Sequence, residues 1–200
     1  MKDLFVNSVL HNLNDASYDE EKVALIKYGL EAIYLTVTKL IIILIIAFFF
    51  NVVIEIILLL VFFGIIRGPS FGMHANTSNA CLVLSIALLL IPIIFLHDLT
   101  ILLPYKIIIA GACLLSFILY APADTVKRPL INKEKRMKLK KASLLIVVIY
   151  ITLIFTFADN NLISNTLLYA LVLQGLMITP MFYKILKQPY QNYKNYKKEV

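Results

Sequence analysis

A histidine and a cysteine, His74 and Cys81, lie seven positions apart in a polar stretch between two strongly apolar runs. A cysteine attacks as its thiolate, which a nearby imidazole or a helix N-terminus favours. On one straight helix the two side chains would be about 10 Å apart along the axis, too far for a hydrogen bond. The pair can therefore act as nucleophile and base only if His74 lies on a loop and a helix begins before Cys81.

The residues just ahead of the cysteine favour such a helix start. Asn76, Thr77 and Ser78 are all good N-cap residues, and Thr77 or Ser78 as the cap puts Cys81 in the first turn. There the thiol would be close to unpaired backbone N–H groups and to the positive end of the helix dipole. Gly72 would let the preceding loop turn, or let a substrate backbone approach closely.

Other roles for these residues stay open. A cysteine at the start of an apolar helix can serve packing alone, and an interfacial histidine can simply be solvated. We expect that Cys113, within the span 104–120, serves helix packing. Arg67 either anchors the end of a membrane span or binds a substrate carboxylate. The pattern does not single out a third catalytic residue. Four polar residues are candidates for it: Glu55, Ser70, Ser78 and Asn79.

The composition is that of an integral membrane protein. The chain has 200 residues, of which 60% are hydrophobic, and its mean hydropathy is +0.85; soluble domains are about 45–50% apolar. The formal net charge of +7 comes from basic residues beside apolar runs, which favours a lipid bilayer rather than nucleic acid as the partner. The sequence contains neither a cofactor fingerprint nor metal-ligand spacing, so we expect no cofactor and no metal.

We predict an all-α fold: one membrane domain over residues 1–200, with about six transmembrane helices after an amphipathic interfacial helix over residues 1–20. The helix of the first span begins at Glu21 in the interface, enters the bilayer near Ile33 and continues to Phe50. One tilted helix could absorb the run Leu40–Ile66, but a hairpin turning at Asn51 is the preferred interpretation. Pro92 and Pro180 are expected to kink their helices. The four later spans are predicted at 80–96, 104–120, 142–157 and 162–185.

Charge predicts the orientation of these spans. The hydrophilic loop 121–141 carries eight basic residues and the C-terminal region adds more, whereas the turns expected on the other side carry none. By the positive-inside rule, the basic segments are cytoplasmic, as are both termini, the loop 67–80 and the polar, frayed tail 188–200. The basic run that begins at Lys127 and Arg128 either sets this topology or attracts an acidic peptide. The tail tyrosines and Tyr183 are expected to anchor at the interface.

Two motifs resemble those of the accessory gene regulator B (AgrB) family, whose members are membrane cysteine peptidases of bacterial quorum sensing. The first is Arg67, a glycine-containing turn, His74-Ala75, a small polar run and Cys81. The second is Ala-Pro-Ala-Asp-Thr at 121–125 followed by Lys-Arg-Pro at 127–129, which resembles the family's Ala-Pro-Ala-rich, Lys-Pro-containing cytoplasmic loop. The Pro-Ser-Phe at 69–71 departs from the family pattern.

The resemblance implies that Cys81 is the nucleophile and His74 its base, with Arg67, Gly72, Ser78, Lys127 and Arg128 in supporting or substrate-binding roles. The substrate would be an AgrD-type precursor peptide with an acidic C-terminal tail. The enzyme would remove the tail, hold the remainder as a thioester on Cys81 and promote closure of a thiolactone or lactone ring. The resemblance also implies a homodimer in the bacterial cell membrane.

Two non-enzymatic functions also fit the composition. A small transporter subunit, such as the substrate-binding membrane subunit of a vitamin-uptake system, would have a similar length, span number and charge. A peptide exporter is a weaker alternative, because few polar residues within the spans could line a pathway. A peptidase would depend on the Cys81 thiol, whereas a transporter should tolerate its loss.

Overall fold

The structure is a computed structural model of an all-α membrane protein. It describes residues 6, 8, 20–73, 78–126 and 128–198, and at 20, 21, 78, 79, 197 and 198 it describes the backbone alone. The chain divides into two compact units, Met1–Phe49 and Phe50–Val200. Most of the amphipathic helix predicted for residues 1–20 lies outside the described residues.

Eight α-helices, one π-helical turn and one 3-10 helix make up the regular structure of the described residues. In chain order they are α1 Glu20–Phe49, α2 Val53–Ser70, α3 Ser78–Ser85, the π-helical turn Ile86–Leu90, α4 Ile91–Leu96, α5 Leu103–Tyr120, α6 Lys133–Thr156, α7 Asn161–Met177, α8 Pro180–Ile185 and the 3-10 helix Asn192–Lys198.

Four of the helices are long and apolar enough to cross a membrane: Lys22–Phe49, Val53–Ser70, Leu103–Tyr120 and Lys133–Thr156. Two further apolar helices, Ala80–Leu96 and Asn161–Met177, are shorter. These segments correspond to the six predicted spans, and they confirm the prediction of an all-α, multi-pass membrane protein.

The break predicted at Asn51 is present. Helix α1 ends at Phe49 and α2 begins at Val53. Asn51 has a φ of 57°, a left-handed conformation that asparagine adopts more readily than most residues. The long apolar run is therefore two helices.

Helix α2 continues further than the sequence suggests, so the predicted loop 67–80 was too long. Arg67, Gly68, Pro69 and Ser70 are all helical, and α3 resumes at Ser78. The last turn of α2 is closed without the missing N–H of Pro69. Phe71 N–H donates to the Arg67 carbonyl at 2.9 Å, and Ser70 Oγ donates to the Ile66 carbonyl at 2.7 Å. A proline in the last turn of a helix thus costs only one hydrogen bond.

The helix that follows the cysteine contains a π-helical turn ahead of Pro92. Because Pro92 has no N–H, it cannot donate to the carbonyl of Leu88. The hydroxyl of Tyr169 donates to that carbonyl instead. A widened turn over Ile86–Leu90, a feature often found near functional sites, thus directly precedes the helix that contains Pro92, and the kink at Pro92 stays a prediction.

The basic loop also proves shorter than predicted, because α6 begins at Lys133 rather than near Ala142. Asn132 caps this helix by accepting a hydrogen bond from Lys135 N at 3.1 Å. The basic residues from Lys133 to Lys141 therefore lie on the first turns of α6. The hydrophobic pattern did not indicate this helix start, because the first turns of the helix are charged rather than apolar.

The C-terminal region differs from the prediction in three respects. The sixth span ends at Met177, and α8 starts afresh at Pro180 with Thr179 as its N-cap, so there is a break instead of a kink. Tyr183 is buried rather than placed as an interface anchor. The tail forms the 3-10 helix Asn192–Lys198.

Helix α7 lies at the centre of the second unit, where it packs against α2, α5 and α6. Its buried side chains are apolar apart from Ser164, Thr166 and Gln174. Most large apolar side chains on the outer faces of α2, α5 and α6 remain exposed, as expected of surfaces that face lipid tails. The core that holds the candidate site is thus built around α7.

Candidate active site

The chain leaves the helical conformation directly after α2, in the segment Phe71–Met73. Phe71 has φ 59° and ψ −128°, and Gly72 has φ 106°. This segment separates α2, which carries Arg67, from α3, which carries Cys81. His74 itself lies outside the described residues.

The loop after α5 pairs with this segment. Gly72 N–H donates to the Ala123 carbonyl at 2.8 Å, and Ala123 N–H donates to the Ser70 carbonyl at 3.0 Å. Phe71 and Ala123 form an isolated parallel β-bridge. Residues about fifty positions apart in the chain are thereby held side by side.

Helix α7 holds the same segment from another side. Gln174 Nε2 donates to the Phe71 carbonyl at 2.7 Å, and Met73 N–H donates to the Met177 carbonyl at 3.5 Å. Gln174 is fully buried. The end of α7 therefore supplies both a side-chain donor and a main-chain acceptor to the 71–73 segment.

Arg67 completes the set of contacts. Its Nη2 donates to the Met73 carbonyl at 2.6 Å, and its Nη1 contacts Met177 Sδ at 3.4 Å. The guanidinium also lies over the ring of Phe63, 5.3 Å from its centroid. This cation thus binds the backbone residue that immediately precedes His74 in the sequence.

Gly72 is required by both conformation and space. A φ of 106° is one that L side chains rarely adopt. A Cβ at this position would lie 3.3 Å from the Met177 carbonyl oxygen and 3.5 Å from Gln174 Nε2. The close approach of the 71–73 segment to α7 therefore depends on a residue without a side chain.

Cys81 is the fourth residue of α3 and is a free, half-buried thiol. It lines a cavity of about 180 Å³ together with Arg67 and Met73. The other residues around the cavity are Phe63, Leu84, Ser85, Leu88, Leu89, Leu173 and Met177. One thiol and one guanidinium thus share a largely apolar cavity.

A known protein family matches most of the chain. Residues 3–178 match the family model of Accessory gene regulator B. The chain belongs to the AgrB family. An AgrB-like protein of Listeria innocua is 32% identical over 185 residues, covering 89% of this chain and 87% of the relative.

Two further AgrB-like relatives show the same extent of similarity. One from Listeria monocytogenes is 31% identical over 185 residues, with 89% of this chain and 87% of the relative covered. One from Clostridium acetobutylicum is 28% identical over 177 residues, with 88% and 83% covered. No solved structure matches the chain. Membership of the AgrB family supports an accessory gene regulator role in quorum sensing.

Only some of the residues singled out in the AgrB-like motifs come together in the described part of the chain. Arg67, Gly72 and Cys81 lie at or beside the cavity. Ser78 is the first residue of α3, and its side chain is not described. Lys127 is outside the described residues. Arg128 is exposed, and its N–H closes a turn onto the Thr125 carbonyl at 3.0 Å.

Two other candidates for a third catalytic residue, Ser70 and Glu55, do not line the cavity. Ser70 Oγ is buried and is 3.2 Å from Ser143 Oγ, besides its bond to Ile66. Glu55 is in the first turn of α2, twelve residues before Arg67 and thus about 18 Å away along the helix. Asn79 is described by its backbone alone.

Asp124, in the Ala-Pro-Ala-Asp-Thr motif, ties the loop to the C-terminal tail. Its buried carboxylate accepts hydrogen bonds from Tyr193 N at 2.7 Å, Asn192 N at 3.0 Å and Leu130 N at 3.4 Å. The Tyr183 hydroxyl donates to the Asp124 carbonyl at 2.9 Å. Burial, and then the Asp124 charge, raises the pKa of Tyr183 above its usual range, so this donor stays protonated.

A second cavity, of about 210 Å³, lies on the far side of this loop. Asp124, Arg136, Lys140 and Tyr193 are among the residues that line it. Arg136 stacks on the Tyr193 ring at 3.9 Å from its centroid, and Lys140 Nζ donates to the Ile118 carbonyl at 2.7 Å. Arg136 thus joins the start of α6 to the tail, and Lys140 joins it to the end of α5.

The sequence suggests no role for Gln174 or Asp124, and it suggests an interface anchor for Tyr183, which is instead buried. Gln174 carried a usable signal, because a polar side chain within an apolar helix usually faces the bundle interior. Asp124 lay in a motif that was noticed. Two of the three N–H groups that bond to its carboxylate could not be deduced, because they come from residues about seventy positions later.

We predict that Gly72→Ala lowers any peptide-cleaving activity by about 10-fold or more, because the added Cβ displaces the 71–73 segment from α7. The strained φ should also cost about 1–3 kcal/mol of stability. Peptide cleavage in detergent or vesicles and thermal unfolding would measure the two effects.

The matched control is Gly68→Ala. Gly68 is helical, and a Cβ there meets nothing within 4 Å. This control should keep full activity. Equal activity of the two variants would show that the close approach at Gly72 does not matter for the reaction.

Proposed function

We propose that this protein is a membrane-embedded cysteine endopeptidase that cleaves and cyclises an AgrD-type precursor peptide. The observation that carries the proposal is the cavity that Cys81, Arg67 and Met73 line together. Met73 immediately precedes His74, and its carbonyl is held by Arg67. A thiol in the first turn of a helix and the backbone leading to an imidazole therefore meet at one site.

The chemistry begins with the Cys81 thiol. His74 accepts its proton, and the sulfur attacks the scissile carbonyl of the precursor to form a tetrahedral intermediate. The C–N bond then breaks, His74 returns the proton to the departing amine, and the C-terminal tail leaves. The rest of the peptide stays on Cys81 as a thioester.

Ring closure follows from the same intermediate. An internal cysteine thiol or serine hydroxyl of the peptide attacks the thioester carbonyl and releases the Cys81 thiol. Attack by a thiol exchanges one thioester for another, so that step is nearly balanced in free energy. Attack by water would instead hydrolyse the thioester irreversibly and release a linear peptide. The apolar side chains around the cavity support the exclusion of water until the ring has closed.

Arg67 has capacity for a second role. A guanidinium has five N–H donors, and Met73 and Met177 engage two of them in the described part of the chain. The remaining donors could bind the oxyanion of the intermediate or a carboxylate of the acidic tail. Holding Met73 and binding substrate are therefore compatible roles for this residue.

The basic segments support a cytoplasmic site. Lys133 to Lys141 lie on the first turns of α6, next to the loop that pairs with the 71–73 segment. By the positive-inside rule this end of the bundle faces the cytosol, together with Cys81, His74 and both termini. An amphipathic precursor on the inner leaflet would reach the site from the membrane surface. Lys127 and Arg128 would attract its acidic tail, and a homodimer remains part of the proposal.

The cavity also suggests which peptides are preferred. An apolar cavity of about 150 Å³ can hold a benzene-sized group, so one of about 180 Å³ fits a leucine, methionine or phenylalanine side chain. We predict that precursors with such a residue at the scissile carbonyl have kcat/KM about 10-fold or more above those with alanine. A peptide series varied at this position would measure the preference.

Leu84→Phe, which narrows the cavity, should move the preference towards small residues. Val83→Phe is the control, because Val83 is exposed on the same helix and does not line the cavity. If both variants keep the wild-type preference, this cavity does not select the substrate residue.

The decisive test of the function is Cys81→Ala. We predict that this variant loses cleavage of a co-expressed AgrD-type precursor altogether, because no other described thiol lines the cavity. Intact-mass analysis of the peptide products would measure the loss. The matched control is Cys113→Ala, which removes a buried thiol that packs near Gly175 and should leave cleavage unchanged. A Cys81→Ala protein that still processes the precursor would favour the transporter function instead.

A further inference from the structure

Gln174 is the one fully buried side-chain amide on α7, among the residues that the structure describes. Its Nε2 donates to the Phe71 carbonyl at 2.7 Å, across 103 positions of the chain. Phe71 is the residue at which the chain turns out of the helical conformation. The amide therefore acts on the backbone three residues before the histidine position.

The other end of this amide has no hydrogen bond. Gln174 Oε1 is buried, and none of the described residues donates to it. Buried polar atoms without partners are rare and costly, and each one calls for an explanation. A leucine or methionine would fill this place in an apolar helix without leaving an acceptor unpaired. The Nε2 donor is what an apolar residue could not supply.

The Phe71 carbonyl needs that donor. Phe71 has a positive φ, so its carbonyl is not part of a helical hydrogen-bond pattern. The N–H of the next residue, Gly72, donates to the Ala123 carbonyl. The Phe71 carbonyl and the Gly72 N–H are thus held by two different elements. With both bonds made, the backbone between α2 and Met73 has one orientation relative to α7 and the cavity.

We infer that Gln174 is a positioning residue for the catalytic base: its amide fixes the Phe71–Met73 segment, which is the backbone that leads to His74 in the sequence. The inference rests on the proposed function, since it assigns a base to that position. Gln174 is not among the residues that line the cavity, so it touches neither the peptide nor the sulfur. It acts through the backbone that it holds.

The test compares purified full-length protein with the variant Gln174→Met, which keeps the length and volume of the side chain but not its donor. We expect kcat for precursor cleavage to fall by about 10-fold or more, while KM changes by less than about 3-fold. The rate at which iodoacetamide alkylates Cys81, followed on the Cys81 peptide by mass spectrometry at one pH, should fall towards that of His74→Gln.

Thr166→Val is the matched control. Thr166 is buried on the same helix, but its hydroxyl bonds only within α7, to the Leu162 carbonyl. It should keep wild-type kcat, KM and alkylation rate. Should Gln174→Met not be recovered folded, Gln174→Asn replaces it. That variant keeps an amide but is one methylene too short for the bond to Phe71, and it should show the same loss.

The outcomes separate this inference from the proposed function. If His74→Gln and Cys81→Ala abolish cleavage while the Gln174 variant stays within about 2-fold of wild type, the positioning role is wrong and the peptidase proposal stands. If His74→Gln leaves both cleavage and alkylation unchanged, the proposed function fails and the inference fails with it. A fall in kcat at Gln174 with unchanged KM and a slower alkylation of Cys81 would support both.

Discussion

The candidate site depends on the hydrogen bonds that hold three non-helical residues, Phe71–Met73, inside an apolar protein. Backbone polar groups that leave a helix in such surroundings must find partners elsewhere. Here the partners are the Ala123 carbonyl, the Gln174 amide, the Met177 carbonyl and the Arg67 guanidinium. These groups come from α2, the loop after α5 and the end of α7. The site therefore exists only when the whole second unit has folded.

The same constraint explains why the loop after α5 is built as it is. Ala123 pairs with the 71–73 segment, and its neighbour Asp124 is buried with its carboxylate satisfied by three backbone N–H groups. A buried carboxylate without such donors would be very costly. The C-terminal tail supplies two of the three. The tail, the loop and the site are consequently parts of one hydrogen-bonded structure.

Much of the fold followed from the sequence. Hydrophobic runs gave the six apolar helices, and the turn at Asn51 and the helix start at Pro104 followed from local chemistry. Helix ends were less predictable. Side-chain bonds, such as Ser70 to Ile66 and Asn132 to Lys135, extended α2 and started α6 early, and hydropathy does not report such bonds.

The site was predictable in its residue types but not in its geometry. The residue types favoured Cys81 as the nucleophile and predicted a helix start just before it, and Cys81 lies in the described helix Ser78–Ser85. The roles of Gln174 and Asp124 depend on contacts between positions 59 and 103 residues apart. A single sequence holds no local signal for such pairs, because the residues around one member do not indicate which distant residue it contacts.

In the proposed reaction, one sulfur atom, that of Cys81, carries the peptide between cleavage and ring closure. The most direct measurement is the intact mass of the protein after reaction with a precursor whose internal nucleophile has been replaced by alanine, so that the ring cannot close. We predict an adduct on Cys81 with the mass of the precursor fragment that lies before the scissile bond, released by neutral hydroxylamine. Cleavage of this precursor with Cys81 unmodified throughout the reaction would contradict the account.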